Sequence, residues 1–520
     1  MKREVLISQL ESTPHWDVII IGGGATGLGT AMDAATRGYK TILVEQADFA
    51  KGTSSKATKL VHGGVRYMAQ GDLGLVKEAC HERGLLLKNA PHLTRNTSFV
   101  IPNYSIWDNI KYTIGLKFYD FLAGKLSLGK SRYISKKEVL RDLPTVSPKG
   151  LRGGVVYQDG QFDDSRLAVN IAETAVDNGA CVLNYFKVIG VIKDNNGKVN
   201  GIKAKDIETN KEYEITGKVV INATGVYADN ILQMDRPNAP HFVRPSQGVH
   251  LTLDRSFLPG DNALMIPKTS DGRVLFAVPW HNKLIVGTTD TLREHPELEP
   301  RALEEEIEFI LKTAQQYLTK QPTRKDVLAV FAGLRPLAAP QGDGKNTKEI
   351  SRSHKIMVSD SGLVTIIGGK WTTFRRMAQD TIDKAIEVGE IPAKECVTEQ
   401  LHIHGYDTTV NHAEELHFYG SDLKKIKELE TQEPALKERL LPNYEYTVGN
   451  VVFAVRNELA VKVEDVLARR FRLLFLDAKA AVEASGKVAQ IMAKELGKDQ
   501  AWIDSEVSQF AQLAKVYELN

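Results

Sequence analysis

Residues 17–27 read Asp-Val-Ile-Ile-Ile-Gly-Gly-Gly-Ala-Thr-Gly, an apolar run that ends in a cluster of glycines. The apolar residues predict a short buried strand, and the small residues that follow Gly27 predict a helix packed closely against it. A second apolar run at 41–44 ends on the acidic residue Glu45. This succession of strand, glycine turn, helix, strand and acid is typical of a βαβ unit that binds a dinucleotide.

Each residue of this pattern has a physical role in such a unit. Gly22 permits the tight turn, Gly24 lets the backbone approach a pyrophosphate, and Gly27 lets the helix pack against the strand. The helix N-terminus offers N–H groups and partial positive charge to the phosphates. Glu45 follows at the spacing of about 20 residues at which a carboxylate accepts hydrogen bonds from the ribose hydroxyls.

Length and composition limit the class of protein. A chain of 520 residues predicts two or three domains. A net charge of +2 gives no drive toward nucleic acid, so no nucleic-acid partner is predicted. The three cysteines are far apart and match no metal-ligand spacing, which favours reduced thiols in a cytoplasmic protein and predicts no metal site. The polar N-terminus lacks a signal peptide, and no apolar run is long enough to span a bilayer.

The pattern of strands and helices predicts an α/β protein in three parts. Two more strand and glycine-turn segments lie at 219–225 and 363–369, and a helix follows the second of them near Thr372. We therefore expect a discontinuous Rossmann-like cofactor-binding domain (1–90, 150–230 and 350–392). Short strands at 263–266, 273–278 and 284–287 predict an interleaved antiparallel-sheet substrate domain (91–149 and 231–349), backed by a helix at 300–320. Helical spacing with almost no strand signal predicts an all-helical C-terminal domain (393–520), whose Arg469, Arg470 and Arg472 are expected to be solvated or ion-paired.

One amphipathic segment is compatible with two environments. Residues 105–130 place large apolar side chains at spacings of three and four, interleaved with lysines. Aromatic residues and lysines on one amphipathic helix are what a membrane-interface helix needs. The same spacing also fits a helix that faces the protein core and has a solvated lysine edge.

Four further motifs carry a resemblance to a known family. They are Gly-Thr-Ser-Ser-Lys-Ala-Thr-Lys-Leu-Val-His-Gly-Gly-Val-Arg-Tyr (52–67), Asn-Ala-Thr-Gly (222–225), Ala-Gly-Leu-Arg-Pro-Leu (332–337) and Gly-Gly-Lys-Trp-Thr-Thr-Phe-Arg (368–375). In this order they resemble the FAD-dependent glycerol-3-phosphate dehydrogenases, which belong to the D-amino-acid-oxidase-like flavoproteins. The resemblance covers nearly the whole chain, including the helical C-terminal part.

The resemblance implies a cofactor, a substrate and an acceptor. FAD would oxidise sn-glycerol 3-phosphate to dihydroxyacetone phosphate, and a membrane quinone would take the electrons. The implied location is peripheral, on the inner face of the cytoplasmic membrane, which favours the interfacial interpretation of 105–130. Whether the chain forms a homodimer is left open.

The same resemblance, read with the chemistry of the side chains, assigns site residues. The cofactor-binding candidates are Gly22, Gly24, Gly27, Glu45, Thr53, Ser54, Ser55, His62, Gly63, Gly64, Ala223, Gly225, Gly368, Gly369, Lys370 and Thr372. Lys370, at a helix start, is expected to favour the reduced, anionic flavin.

Binding a dianionic phosphate requires several charge-assisted donors. The substrate-binding candidates are Arg66, Tyr67, Arg335, Arg352 and Lys370. Arg335 has no evident ion-pair partner in its own stretch of sequence, whereas Arg375 is a weaker candidate. The catalytic candidates are His250, Lys370 and Arg335, with His250 as the general base that removes the hydroxyl proton and His62 as its alternative.

Three other functions remain open at the level of sequence. An oxidase would share the fold, FAD and substrate but would pass electrons to oxygen and form hydrogen peroxide. An amino-acid or amine oxidase would use an arginine for a carboxylate, although the several cationic candidates suit a dianion better. A flavoprotein that senses redox state without turnover would need the glycine loop but not the cationic set.

Overall fold

The computed structural model describes residues 1–64, 72–270, 272–338 and 353–519. Its α-helices are α1 (Arg3–Ser12), α2 (Ala25–Thr36), α3 (Leu73–Asn89), α4 (Ile106–Ala123), α5 (Lys136–Asp142), α6 (Asp164–Asp177), α7 (Ala228–Asp235), α8 (Glu304–Tyr317), α9 (Phe374–Val388), α10 (Asp422–Gln432), α11 (Val448–Asn457), α12 (Leu473–Leu476), α13 (Ala478–Leu496) and α14 (Gln500–Ala514). Its strands are β1 (Trp16–Ile21), β2 (Thr41–Val44), β3 (Leu60–Val61), β4 (Thr94–Asn103), β5 (Arg132–Ile134), β6 (Gly153–Phe162), β7 (Cys181–Leu183), β8 (Phe186–Lys193), β9 (Val199–Asp206), β10 (Glu212–Asn222), β11 (Val243–Asp254), β12 (Ala263–Ile266), β13 (Leu275–Trp280), β14 (Lys283–Gly287), β15 (Thr291–Leu292), β16 (Val327–Ala338), β17 (His354–Val358) and β18 (Val364–Gly368).

The first sheet has a parallel core in the order β18-β10-β1-β2-β7. Strand β17 flanks it in the antiparallel direction, and β8 and β9 extend β10 as an antiparallel ribbon. Val18, Ile19 and Ile20 of β1 are fully buried, as expected for a parallel strand covered on both faces. The three strand and glycine-turn segments that are distant in sequence are therefore adjacent in this sheet, which confirms the predicted assembly of the sheet from separate segments.

Helix α2 packs against both α6 and α9, beside the centre of this sheet. The packing is close, since a Cβ atom added at Gly29 would lie 2.8 Å from the Phe374 ring. The small residues of α2 therefore let two helices from distant parts of the chain approach the strand that carries the glycine loop.

The second sheet has the order β15-β11-β14-β13-β12-β4-β6-β3. Its strands pair in the antiparallel direction except for β12 with β4, and β16 pairs with β11 along its length. Ile307 and Ile310 of α8 share a buried core with Leu251 of β11. The predicted antiparallel region and its backing helix are therefore present.

Strand β6 requires a correction to the predicted organisation. The sequence placed residues from 150 onward with the cofactor-binding elements, but β6 pairs with β4 over its full length in the second sheet. Strand β3, within the segment 1–90, pairs with β6 in the same sheet. Apolar runs predict strands without indicating which sheet they join, so this boundary could not be placed from sequence.

Helix α4 faces the second sheet with only part of its surface. Leu116 and Tyr119 are buried, and the helix contacts β6. Its large apolar side chains point outward, with exposed fractions of 65% for Ile106, 79% for Trp107 and 77% for Phe121. The alternative of a core-facing helix with a solvated lysine edge is therefore wrong for this segment.

The C-terminal helices are attached to the rest of the chain through buried ion pairs. Arg469 and Arg470, in a π-helical segment at Asp465–Arg470, both contact Asp48, with Arg470 Nη1 2.6 Å from Asp48 Oδ2. Arg472 Nε lies 2.8 Å from Asp163 Oδ2. All three arginines are buried, so the ion-paired alternative applies and the solvated one does not.

Replacing Asp48 by Asn leaves two buried guanidinium groups without their shared negative charge. We expect the free energy of unfolding to fall by about 3–5 kcal/mol, because removing one partner leaves buried charge uncompensated. Glu428→Gln breaks the exposed pair with Lys424 and serves as the control, with an expected loss of about 1 kcal/mol or less. Urea unfolding followed by tryptophan fluorescence compares the variants, and equal losses would contradict a stabilising role for the cluster.

Candidate active site

The carboxyl ends of β1, β10 and β18 meet along one edge of the first sheet. Each strand is followed by small residues, namely Gly22, Ala223 and Gly369. A cleft opens above this edge, and the residues from the sequence-predicted set that line it are Gly22, Gly24, Glu45, Thr53, Ser54, Ala223, Gly225, Gly368, Gly369 and Lys370. The parallel topology therefore brings together predicted cofactor residues from five separate stretches of sequence.

The glycine loop is packed too closely to accept side chains. A Cβ atom added at Gly27 would lie 1.8 Å from the carbonyl oxygen of Gly22, and Gly22 itself has φ of 111°. Gly24 begins α2 without a side-chain cap, and Gly24, Ala25 and Thr26 line the cleft. The N-terminus of α2 therefore borders the cleft, a position that suits a pyrophosphate.

Glu45 stabilises this loop from the neighbouring strand. Its Oε2 accepts a hydrogen bond from Gly23 N at 2.6 Å, and its Oε1 accepts one from Ala47 N at 2.9 Å. Burial raises the pKa of Glu45, and these hydrogen bonds act in the opposite direction. Because each carboxylate oxygen has a further lone pair, Glu45 can accept ribose hydroxyls while it holds the loop.

The three hydroxyl residues at 53–55 differ in where they point. Thr53 Oγ1 donates to the Leu334 carbonyl at 2.5 Å, and Ser54 Oγ accepts from Ala25 N at 2.9 Å. Ser55 is fully buried, and its hydroxyl donates to the Ala50 carbonyl at 2.8 Å. Thr53 and Ser54 line the cleft, whereas Ser55 lines neither cavity and supports the turn, contrary to its predicted cofactor contact.

A second cavity adjoins the cleft. Thr53, Pro336 and the turn at 368–371 line both spaces. The second cavity also contains Thr58, His62, His250, Arg335 and Thr372. A ligand in the second cavity would therefore contact the same turn as a dinucleotide in the cleft.

His250 extends from β11 into this second cavity. Its Nε2 lies 2.9 Å from Thr58 Oγ1, its ring stacks on Phe331, and its buried Nδ1 has no hydrogen-bond partner among the described residues. Burial, followed by the charges of Arg335 and Lys59, lowers the pKa of His250 well below its usual value. The imidazole is therefore neutral. Nothing in the sequence pattern indicated Thr58 as its partner.

Arg335 enters the same cavity from β16. Its Nη2 donates to Thr288 Oγ1 at 3.0 Å, and its Nη1 lies 3.7 Å from Asp290 Oδ1. Asp290 is distant in sequence, so the expectation of no ion-pair partner holds for the local sequence only. A Cβ atom added at Gly248 would lie 2.3 Å from Arg335 Nη2. The absence of a side chain at this position of β11 therefore leaves space for the guanidinium group.

Lys370 lies where the two cavities meet. It precedes a single 3₁₀ turn, Trp371–Thr373, and α9 begins only at Phe374. Trp371 Nε1 donates to the Ser54 carbonyl at 2.7 Å, and Thr372 Oγ1 accepts from His62 N at 3.3 Å. These bonds connect the turn after β18 to the segment after Gly52, so the two motifs form one wall.

Not every predicted site residue can be placed in this wall. Arg66, Tyr67 and Arg352 lie outside the described residues. Gly63 lines neither cavity, because it packs against Tyr119, whose hydroxyl accepts from Gly63 N at 3.0 Å. Gly64 has φ of 77° but lines neither cavity either.

Lys59 and Arg375 form buried ion pairs near the site that the sequence did not predict. Lys59 is fully buried, and its Nζ contacts Asp164 Oδ1 at 2.8 Å below the Phe331 ring on which His250 stacks. Arg375 forms a bidentate pair with Glu82, its Nη2 lying 2.6 Å from Glu82 Oε1, and is structural. Asp164 and Glu82 are distant in sequence from Lys59 and Arg375, so no local pattern indicates these pairs.

Comparison with known proteins extends over the whole chain. A family described as FAD dependent oxidoreductase matches residues 17–375, and one described as the C-terminal domain of alpha-glycerophosphate oxidase matches residues 362–503. The mitochondrial glycerol-3-phosphate dehydrogenase of Saccharomyces cerevisiae is 40% identical over 96% of this chain and 90% of its own length. The Arabidopsis thaliana protein named mitochondrial glycerol-3-phosphate dehydrogenase SDP6 is 39% identical over 99% and 88%.

Two solved structures that resemble this chain also contain FAD. A glycerol-3-phosphate dehydrogenase from Bacillus halodurans, complexed with FAD, has a TM-score of 0.77 and 29% identity, covering 99% of this chain and 97% of its own. L-alpha-glycerophosphate oxidase from Mycoplasma pneumoniae, with FAD bound, has a TM-score of 0.58 at 18% identity, covering 75% and 98%, which is a likeness of fold alone.

Gly27→Ala tests the close packing of the loop. The added methyl group would meet the Gly22 carbonyl oxygen, so we expect the loop to open and the purified chain to lose most of its FAD. Gly486→Ala, in α13 with nothing within 4 Å of the added Cβ, is the matched control and should retain FAD. Flavin content per chain, from absorbance after heat release, decides between them, and full flavin in the Gly27 variant would contradict the model of the site.

Proposed function

The chain belongs to the FAD dependent oxidoreductase family, and we propose that it is a glycerol-3-phosphate dehydrogenase. In the proposed reaction it oxidises sn-glycerol 3-phosphate to dihydroxyacetone phosphate and passes the electrons to a membrane quinone. The observation that carries this proposal is the second cavity. It places the neutral His250 and the cations Arg335 and Lys370 beside the cofactor cleft.

The residues of the cleft fit FAD. The glycine loop and the start of α2 border the cleft, and Glu45 offers a partly buried carboxylate at the ribose position of a βαβ unit. When bound, FAD supplies an acceptor for the hydride that leaves carbon 2 of the substrate.

Arg335 and Lys370 suit the phosphate of the substrate. A dianion requires several charge-assisted donors, and arginine offers two parallel N–H groups to phosphate oxygens. Asp290 and Thr288 hold the guanidinium at the cavity wall, which reduces the entropy that binding would otherwise cost. The proposed substrate contacts of Arg66, Tyr67 and Arg352 remain predictions.

His250 suits removal of the proton from the C2 hydroxyl. Loss of hydride without loss of that proton would leave a protonated carbonyl, so a base is required. The low pKa of His250 keeps the ring neutral, and Thr58 and Phe331 fix its orientation. Burial is the larger cause of the low pKa and the charge of Arg335 the next, so a phosphate dianion beside Arg335 would offset only the second cause and raise the pKa in part when substrate is bound.

Helix α4 suits contact with a membrane surface, where a quinone would be reached. Its outward face presents Ile106, Trp107, Ile110, Ile114, Phe118 and Phe121. A contiguous apolar face flanked by lysines is the pattern of an interfacial helix. No helix within the described part of the chain has the length and apolar character to span a bilayer. We therefore propose peripheral attachment; a location on the inner face of the cytoplasmic membrane remains a prediction.

Anaerobic addition of sn-glycerol 3-phosphate tests the proposed reaction. We expect the flavin absorbance to bleach with this substrate and to stay unchanged with D- or L-amino acids. A quinone analogue should then restore the colour faster than oxygen does, whereas hydrogen peroxide formed in proportion to substrate would identify an oxidase. A flavin that remains oxidised with the phosphorylated alcohol would refute the proposal.

Replacing His250 by Asn tests the base. We expect the rate of flavin reduction in stopped flow to fall by about 10²-fold or more, since proton removal loses its acceptor, with FAD still bound. His15→Asn, at an exposed position near the N-terminus, is the control and should leave the rate unchanged. Wild-type reduction in the His250 variant would remove this residue from the role.

The paired change Trp107→Gln and Phe121→Gln tests the membrane face. We expect binding to vesicles of anionic phospholipid to weaken by about tenfold or more, because two large side chains no longer enter the interface. Val5→Gln with Val397→Gln, at positions 60% and 51% exposed elsewhere, is the matched control. Co-sedimentation measures both, and equal binding would place the membrane contact elsewhere.

A further inference from the structure

A cluster of acids and one histidine joins α6 to the C-terminal part of the chain. Glu173 and Asp177 lie one turn apart near the end of α6, His404 lies in the segment that leads to the C-terminal helices, and Asp422 begins α10. None of these residues lines the cleft or the second cavity.

The side chains converge on one point. His404 Nε2 lies 2.9 Å from Asp422 Oδ2 and 3.8 Å from Glu173 Oε1. One ligand atom from each of the three residues lies within 4.8 Å of the others. One imidazole nitrogen and two carboxylate oxygens, supplied by separate elements, are therefore close enough together to bind one metal ion.

The opposite side of the imidazole is already oriented for ligation. His404 Nδ1 lies 2.6 Å from Asp177 Oδ2. A carboxylate on Nδ1–H fixes the tautomer in which the Nε2 lone pair is available, as in carboxylate–histidine–metal arrangements. Asp177 therefore takes the position of an outer carboxylate.

A separate observation also points to a cation at this position. Glu173 is 2% exposed, and its Oε2 accepts no hydrogen bond within the described part of the chain. The nearby Arg166 is 2.8 Å from Glu458, with both side chains fully buried, so its charge is already neutralised. A buried carboxylate oxygen left in this state is costly unless a ligand meets it.

The charges around the cluster lead to the same conclusion. Three carboxylates face His404, and the only other described cation paired with them is Lys425, whose Nζ lies 2.7 Å from Asp422 Oδ1 and whose side chain is 62% exposed. With a protonated histidine the group carries a net negative charge. A divalent ion on a neutral histidine would bring the group to neutrality.

We propose that Glu173, His404 and Asp422 bind a divalent transition-metal ion, of which Zn²⁺ fits best, and that this ion clamps the C-terminal part to α6. Imidazole with carboxylates favours zinc over Mg²⁺ or Ca²⁺, which prefer oxygen ligands alone. Three protein ligands and one water complete a four-coordinate zinc site once the ligands close to about 2.0–2.2 Å. The proposal does not depend on the oxidation of glycerol 3-phosphate.

The test uses the full-length, FAD-loaded protein after treatment with a chelator and dialysis. Titration with ZnCl₂ in a calorimeter should give about one ion per chain at micromolar or tighter affinity, and added zinc should raise the thermal midpoint. His404→Gln and Glu173→Gln should each abolish the calorimetric signal and the thermal shift. His412→Gln is the control for adventitious binding at other C-terminal histidines and should retain both.

A second measurement uses wild-type protein alone, so it does not depend on the folding of any variant. Co²⁺ bound by one nitrogen and oxygen donors should add visible bands at wavelengths longer than the flavin absorbs, and Zn²⁺ should displace them. The absence of zinc binding to wild-type protein would overturn the proposal and leave His404 as an imidazolium shared among carboxylates. Unchanged binding in the His404 and Glu173 variants would overturn it equally.

Discussion

The carbonyl of Gly22 packs directly against the backbone of Gly27, and this contact positions the other parts of the site. A single methyl group at Gly27 would lie 1.8 Å from that oxygen. Because nothing separates strand from helix there, the start of α2 lies directly above the ends of β1 and β10. The cleft, the turn after β18 and the adjoining cavity are all positioned relative to this backbone contact.

Burial and two neighbouring positive charges lower the pKa of His250 in the second cavity. Lys59 is neutralised by Asp164 and Arg335 lies near Asp290, yet both cations act on His250 and keep it neutral. Under the proposed function, this neutral ring beside cationic donors would supply a base and an anion site in one small volume. Thr58 and Phe331 restrict the orientation of the ring, so this arrangement exists before any ligand binds.

Buried charge also connects the C-terminal helices to the rest of the fold. Asp48 contacts Arg469 and Arg470, Asp163 contacts Arg472, and Arg166 contacts Glu458. In each pair one partner belongs to the first half of the chain: Asp48 follows β2, Asp163 directly precedes α6, and Arg166 lies within α6. Pairs of this kind specify one docking geometry, because a shifted interface would leave charges unpaired in a dry environment. The proposed metal clamp at His404 would act at the same boundary.

Local periodicity and the backbone freedom of glycine were enough to predict the βαβ unit, the glycine loop, Glu45, the later strand and glycine-turn segments and the helical C-terminal part. The family motifs further indicated His250, Arg335 and Lys370. The three-dimensional fold was needed to show that β6 joins the second sheet, that Ser55 turns inward and that Thr58 and Lys59 lie beside His250. It also turned the apolar face of α4 outward and buried the arginines at 469–472. Those outcomes depend on which distant segment becomes a neighbour, and no spacing along a single chain carries that information.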